Sequence, residues 1–452
     1  MSSLTKYPSG SVRELWTIAW PLVLAAASST LMTLGDRLVL AHYSQEAFNA
    51  NVAVLPWVWT AFVTGANIAF IANVFVGRFN GSGNYNKIGP TVWQMLWFGL
   101  LLFIPLVPIG VFLAPYLLAE CVRELGTPYL AVLISGVPIA LVGFCVLPAF
   151  FSGRGKTKLV FYVVFTCNLL NLLFDSVLVF GLGPFPQLGI VGAAWGTVLA
   201  DVVASLFWLV LFFQKSNREQ YGTSCWQIDP KLFWRCLSIG APNSISAFVN
   251  FFLWSWILQV VATYVSADNF AAFGVSHTVY TALFFLVEGV GQAVDTIDSN
   301  AYGAKNWPMI EANMHSWLRL SCAIMAITFV VMIVYPKPFL TLIIRRDMSP
   351  GFYHTLKNML LLSWLAIGAE AFSFNLRNML TAFEDTIFSM IVSIVCYSCV
   401  VVIPSYITLR ITHNATSFLA IEAASHAIIL TVFLLRYRYR WIPQFRAGMD
   451  RI

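Results

Sequence analysis

The sequence predicts an all-α polytopic membrane protein of twelve transmembrane helices, arranged as two pseudo-symmetric six-helix lobes. Three observations predict it. Of the 452 residues, 59% are hydrophobic and only 10% are charged, with a mean hydropathy of +0.77. A soluble domain carries about 25% charged residues, and no aqueous core absorbs so large an apolar excess. The apolar residues also form continuous, helix-length runs, unlike the short alternating segments of a transmembrane β-barrel. Finally, polar turn motifs recur between the two halves at spacings of 222 and 229 residues.

About 20 apolar residues cross a bilayer as a helix. The runs that meet this length are 13–41, 47–79, 90–118, 126–150, 157–182, 189–214, 238–265, 269–301, 310–336, 354–382, 386–409 and 415–435. The first passes straight through Ala25-Ala26-Ala27-Ser28-Ser29, which resembles a signal-peptidase site, so an uncleaved first helix is expected. Pro56 and Pro138 mark expected kinks. Short connections rich in turn formers join the runs, including Asn80-Gly81-Ser82-Gly83-Asn84 and Gly153-Arg154-Gly155-Lys156. The longest polar connection, Gln214 to Pro230, falls near mid-chain. The expected organisation is therefore a lobe at 1–214, a cytoplasmic linker at 215–230, a second lobe at 231–440 and a tail at 441–452.

The repeated motifs support that division. Gly81-Ser82-Gly83-Asn84 after the second run matches Gly303-Ala304-Lys305-Asn306 after the eighth. Ser152-Gly153-Arg154-Gly155-Lys156-Thr157 after the fourth matches Thr381-Ala382-Phe383-Glu384-Asp385-Thr386 after the tenth. Six spans per half give both halves the same topology, related by an axis along the membrane normal, a plan found in transporters.

The formal charge of +6 comes from basic residues scattered over short loops, not from one basic face, so no nucleic-acid partner is expected. With both termini cytoplasmic, 18 Lys and Arg lie inside and 7 outside, and Arg319, within a span, completes the 26. That asymmetry favours a multi-pass protein of the inner (plasma) membrane in this orientation. The eight cysteines lie mostly in apolar runs, Cys396-x-x-Cys399 included, and read as small buried hydrophobes. No His-Glu-x-x-His, Gly-x-Ser-x-Gly or intramembrane His cluster supports an enzyme. No cofactor is expected.

An aspartate inside the first run, Asp36, calls for an explanation, because a carboxylate at membrane depth faces a bundle interior or a watery cavity. Asp36 stands with Val76-Gly77-Arg78, Gly81-x-Gly83 and the glycine-rich turn ending in Thr157. Asn171-x-x-x-Asp175, Phe180-Gly181 and Gly189-Ile190-Val191-Gly192-Ala193-Ala194-Trp195-Gly196-Thr197 follow, then Gly289-Val290-Gly291-Gln292-Ala293 and Glu384-Asp385-Thr386. In order and spacing these residues resemble the multidrug and toxic compound extrusion (MATE) family of secondary transporters, over nearly the whole chain. The resemblance implies two six-helix lobes around an alternately opening cleft, and antiport of an organic, often cationic and amphipathic compound against H⁺ or Na⁺. It implies a cation site at Asp36, Asn171, Asp175 and Thr197, with Na⁺ able to sit at Asp36, Asn171 and Asp175, and an acid in the tenth span at Glu370. Some members also carry an acid in the seventh span; here that position is Asn250. Arg37 stands where the family usually has a small polar residue.

Depth brings the four first-lobe residues together independently of the family. At 1.5 Å per residue, Asp36, Asp175 and Thr197 lie about 8, 10 and 12 Å below the outer ends of their spans, with Asn171 one turn below Asp175. Hard cations take oxygen ligands, and paired carboxylates otherwise share a proton. The competing reading pairs Asp36 with Arg37 and leaves Asn171 and Thr197 to tie helices together. In the second lobe Glu288, Gln292 and Asp295 recur on one helix face and could line a cleft for substrate or protons alongside Glu370. Asp201 reads as a helix-packing acid, and Glu422 with His426, four apart, as an internally satisfied pair. The expected partners are small organic substrates and the bilayer, the expected state a monomer. A flippase for a lipid-linked precursor is the alternative, although such proteins tend to have a cationic cavity and the buried charges here are mainly acidic.

Overall fold

The structure is a computed structural model that describes residues 4–336, 340 and 350–449, without the side chains of 350 and 446–449. Lys337, Arg345, Arg346 and Arg451, the Arg446 side chain and the 450–452 end of the tail lie outside the described residues. Among the described residues, twelve helices are long and apolar enough to cross a membrane. They are Val12–Tyr43, Gln45–Gly81, Tyr85–Leu117, Glu120–Ser152, Thr157–Phe180, Ile190–Phe212, Pro230–Tyr264, Ala267–Gly303, Trp307–Val334, Gly351–Ala382, Thr386–Thr412 and Ala415–Phe445, called spans one to twelve below. The all-α, twelve-span fold expected from the apolar runs is the one observed. Span one runs unbroken through Ala25–Ser29.

Two compact units form. Among the described residues, the first holds 4, 20–244 and 299–305; the second holds 5–19, 245–298, 306–336, 340 and 350–449. Spans one, seven and eight therefore each begin in one unit and continue in the other. Pro21 and Pro242, inside the first two of these helices, lie within a turn of their crossings.

The internal repeat is written into the backbone of the turns. Gly83 and Lys305, 222 residues apart, both take a left-handed conformation (φ 74° and 55°). Gly155 and Glu384, 229 apart, do the same (φ 78° and 65°). The hydrogen bonds repeat with them. Gly155 N–H reaches Ser152 O and Lys156 N–H reaches Phe151 O, while Glu384 N–H reaches Thr381 O and Asp385 N–H reaches Leu380 O. A left-handed residue costs an L-amino acid about 1–2 kcal/mol, so glycine is the easier solution. The first half uses glycine at both places; the second uses Lys305 and Glu384.

The glycines paired by the same repeat serve close packing in the first unit. A Cβ on Gly81 would overlap the backbone of Asn300, and one on Gly303 would overlap the backbone of Arg78. The ends of spans two and eight thus cross at backbone contact. Asn80 Nδ2 donates to Asn300 Oδ1 (2.7 Å) and Asn300 Nδ2 to Gly153 O (2.8 Å).

Spans four and eleven each include a π-helical turn, Val142–Val146 and Tyr397–Val402. Each lies just ahead of a proline, Pro148 or Pro404, whose missing N–H cannot bond Phe144 or Val400 four residues back. The expected Pro138 lies inside a helix, and the irregularity falls between it and Pro148. The mid-chain linker contains a short helix, Lys215–Tyr221. It is pinned to span three, where Trp93 Nε1 donates to Thr223 O (2.8 Å) and Trp97 Nε1 to Trp226 O (2.9 Å).

Candidate functional site

In the first unit, three spans bring their polar residues to one place. The carboxyl groups of Asp36 (span one) and Asp175 (span five) come within hydrogen-bonding range of each other. Asn171, one turn before Asp175, donates its Nδ2 to Thr197 Oγ1 on span six (3.1 Å). The Thr197 hydroxyl donates in turn to Ala193 O (3.1 Å). All four residues named for this site from the sequence are therefore assembled.

Gly196 is the reason that spans five and six can close on the carboxylate: a Cβ there would fall on Asp175 Oδ1. Span four adds the fully buried Tyr129, whose hydroxyl accepts from Asn51 Nδ2 of span two (2.8 Å). It lies within electrostatic reach of both aspartates.

The site has more acceptors than donors that reach them. Asp36 Oδ1, Asn171 Oδ1 and both carboxylate oxygens of Asp175 are buried with no hydrogen-bond donor among the described residues. Asp175 is 0% exposed. An unmet buried polar group costs about 1–3 kcal/mol, and a charged one more. Two carboxylates in contact cannot both carry full charge without a counter-charge between them. A shared proton supplies that counter-charge, and so does a cation held by these oxygens, which are the ligand type a hard cation takes. Arg37 does not supply it. Its side chain is exposed and forms no ion pair with Asp36, which removes the competing pairing.

Asp201, read from the sequence as a packing acid, is buried on span six within electrostatic reach of Asp36. Its spacing from Thr197, one turn, is the signal that points to it. Tyr129 and Asn51 had no such signal, because nothing local marks a tyrosine or asparagine whose partner is 78 residues away.

The second unit handles its acids differently. Tyr280 OH donates to Glu370, and Gln292 Nε2 donates to Glu288 Oε1 (3.2 Å). Asp295 is buried further along the same helix. Asn250 is half-buried, forms no hydrogen bond to Glu370 or to that stripe, and leaves its Oδ1 without a donor among the described residues. Among the described residues, hydrogen bonds join Glu288 to Gln292 and Glu370 to Tyr280, and none joins these two pairs to each other or to Asn250. Glu422 and His426 share no hydrogen bond. Glu422 lies within electrostatic reach of Glu370 and His426 within reach of Arg377, so the internal pair expected from their spacing is not formed.

Outside the spans, Asp385 is buried and fully engaged. Arg436 donates Nε to Oδ2 (2.8 Å) and Nη2 to Oδ1 (3.0 Å), and Trp441 Nε1 donates to Oδ2 (3.0 Å). Burial alone would raise its carboxyl. The bonds from Arg436 and Trp441, with the Arg436 and Arg440 charges, outweigh that and hold it below the usual carboxylate range. All eight cysteines are free thiols.

Twelve spans in two repeated halves, with a charge-deficient pocket of oxygens inside one of them, define a polytopic membrane transporter. The MatE family model matches residues 21–177 and 244–407, and the chain belongs to that family. The probable multidrug resistance protein NorM of Geobacillus kaustophilus is 28% identical over 284 residues, 59% of this chain and 62% of that protein. YoeA of Bacillus subtilis, also named a probable multidrug resistance protein, is 24% identical over 332 residues, 71% of this chain and 70% of that protein. This chain thus spans a little under to a little over two thirds of those relatives. Among solved structures, a MOP-superfamily transporter from Pyrococcus furiosus matches with a TM-score of 0.85 at 18% identity, over 97% of each chain. A MATE protein in complex with MaL6 also gives 0.85 at 18% identity, over 97% of this chain and 98% of that one. At such identity the likeness speaks for the fold.

Proposed function

We propose that this protein is a secondary antiporter that exports small organic, cationic or amphipathic compounds by alternating access, in exchange for H⁺ or Na⁺. It acts in the inner (plasma) membrane with both termini cytoplasmic. The coupling cation binds at Asp36, Asn171, Asp175 and Thr197. The observation that carries this reading is the set of buried acceptor oxygens on Asp36, Asn171 and Asp175 that find no donor. Multidrug resistance, the activity named for NorM and YoeA, supports the substrate class.

The coupling follows from charge. A proton or Na⁺ between Asp36 and Asp175 neutralises a buried like-charge contact, and its loss restores the repulsion. A ligand shifts an equilibrium between two arrangements only by its differential affinity for them, and this change of local charge is such a difference. In the second unit, Glu288, Gln292, Asp295, Glu370 and Asn250 serve substrate or proton handling. Support comes from a recess lined mainly by apolar residues such as Leu283, Val287, Met325 and Ile367, with Ser321, Thr328 and Asn375 as its polar members, and reaching Ala371 beside Glu370 in sequence.

The test is export of ethidium from proteoliposomes under separately imposed pH and Na⁺ gradients. Asp36→Asn and Asp175→Asn are expected to insert normally and to lose gradient-driven export. Export at the unsubstituted rate in either variant would sink the assignment. Lipid flipping by the same vesicles, without ethidium export, would favour a flippase instead.

A further inference from the structure

We infer that Asp201 forms a second station for the coupling cation, inward of the Asp36–Asp175 pair, on the path between that pair and the end of the unit closed by the Gly155 turn. This deepens the proposed antiport and rests on it.

The argument begins with direction. Along spans one, five and six, the residues Ser28, Asn168 and Asp201 all lie toward the same end of the unit relative to Asp36, Asp175 and Thr197. Asn168 is seven residues from Asp175, about 10 Å along the helix axis, and Asp201 is one turn, about 6 Å, from Thr197. A proton moves across one hydrogen bond at a time, over about 3 Å, so a path of this length needs intermediate groups.

The groups are there. Asn168 Nδ2 donates to Ser28 Oγ (2.7 Å) and more weakly to Ser29 Oγ (3.4 Å), which joins spans five and one at this level. Asn168 is 6% exposed, and its Oδ1 has no donor among the described residues. The pattern of unmet acceptors seen at Asn171 and Asp175 therefore continues a further turn along span five. Asp201 supplies the carboxylate. It is buried, with Asp36 of span one and Cys167 of span five within electrostatic reach. Its own backbone oxygen packs against Gly143 of span four, where an added Cβ would lie 3.3 Å from it. The titratable and charged groups around this path are Asp36, Asp175, Cys167, Tyr129 and Arg37. None of them is a cation paired with Asp201.

The internal repeat places polar groups at the same level of the second half. Counted from the first helical residue, Ile190 in span six and Ala415 in span twelve, Thr197 and Asp201 occupy the same positions as Glu422 and His426, with the acid at the second position in one half and at the first in the other.

The experiment uses the full chain in proteoliposomes, with ethidium exchange in the absence of any gradient and ethidium export under pH or Na⁺ gradients. Asp201→Asn is expected to keep exchange within about twofold while gradient-driven export falls at least tenfold; Asp201→Glu is expected to restore it. Export by Asp201→Asn at the unsubstituted rate overturns the inference, and so does an equal loss of exchange and export, which marks a structural acid. If Asp36→Asn is inactive while Asp201→Asn is normal, only the second station fails. If Asp36→Asn is itself normal, the primary site fails. A measurement on the unsubstituted chain guards against misfolding: labelling of Asp201 by a hydrophobic carbodiimide, which attacks protonated carboxyls. It is expected to fall at least threefold as pH or Na⁺ is raised, and absent or constant labelling overturns the inference.

Discussion

The two halves of the chain repeat one another's turns almost bond for bond, yet the acids that follow those turns and line the spans are served differently. In the second unit each of Glu288, Glu370, Asp298 and Asp385 receives at least one side-chain donor: Gln292, Tyr280, Asn313 and Arg436. In the first unit Asp36 Oδ1 and both carboxylate oxygens of Asp175 receive none among the described residues. The same contrast appears at the Gly155 and Glu384 turns. In the first, the Arg154 guanidinium is held against the rings of Phe150 (3.7 Å) and Tyr221 (4.2 Å). In the second, the buried charge is the Asp385 carboxylate clamped by Arg436 and Trp441. Backbone geometry survives in a repeat because the turn must close; side-chain chemistry is free to diverge. What the difference teaches is where a mobile cation has work to do: between two neighbouring carboxylates whose buried oxygens find no donor.

The largest expected effect separates the units directly. Asp175→Asn should reduce gradient-driven export by at least about a hundredfold, equivalent to about 2.7 kcal/mol. Glu370→Gln, which leaves Tyr280 a neutral acceptor, should cost about tenfold or less, read in the same vesicle assay. Equal losses would erase the distinction between the units.

Next is the clamp of the second unit. Asp385→Asn removes charge-assisted bonds from Arg436 and Trp441, and should lower stability by about 2 kcal/mol, seen as a fall in Tm in detergent. Because the folded-state acid is held below its unfolded value of 3.8, its contribution is full above that value. It is lost as pH falls through the lower folded-state value. The share of stability that Asp385 contributes should therefore be lost only in the acid limb, below about pH 4, and Asp385→Asn should flatten that part of the profile.

Gly196→Ala forces a methyl group onto the Asp175 carboxylate. It should cost about 1–3 kcal/mol of stability and weaken cation binding, measured by Tm with and without the cation. Smaller still, Gly83→Ala meets nothing within 4 Å and should cost about 1 kcal/mol for its positive φ alone, with Gly83→Asn costing less. An equal cost for both would show that contacts, not backbone conformation, constrain this turn.

The spans were legible in the sequence because apolar length dictates them, and the repeat was legible because glycine-bearing turns keep their spacing. Asp36, Asn171, Asp175 and Thr197 could be grouped because three helices of known direction put them at one depth. What could not be read were contacts that depend on helix rotation and tertiary approach. Tyr129 is brought to the site by span four, and Gly196 matters through a carboxylate on another helix. Arg37 is adjacent to Asp36 in sequence yet turned away from it, as neighbouring helical residues point about 100° apart. Glu422 and His426 show the converse, since the right spacing on one helix did not make them partners.

The central claim is that the coupling cation binds in the first unit. Cation binding to the purified protein tests it most directly, as proton release on a pH jump and as Na⁺ uptake at constant pH. The account predicts that the unsubstituted chain and Glu370→Gln bind the cation alike, and that Asp36→Asn does not. Binding retained in Asp36→Asn and lost in Glu370→Gln would contradict it.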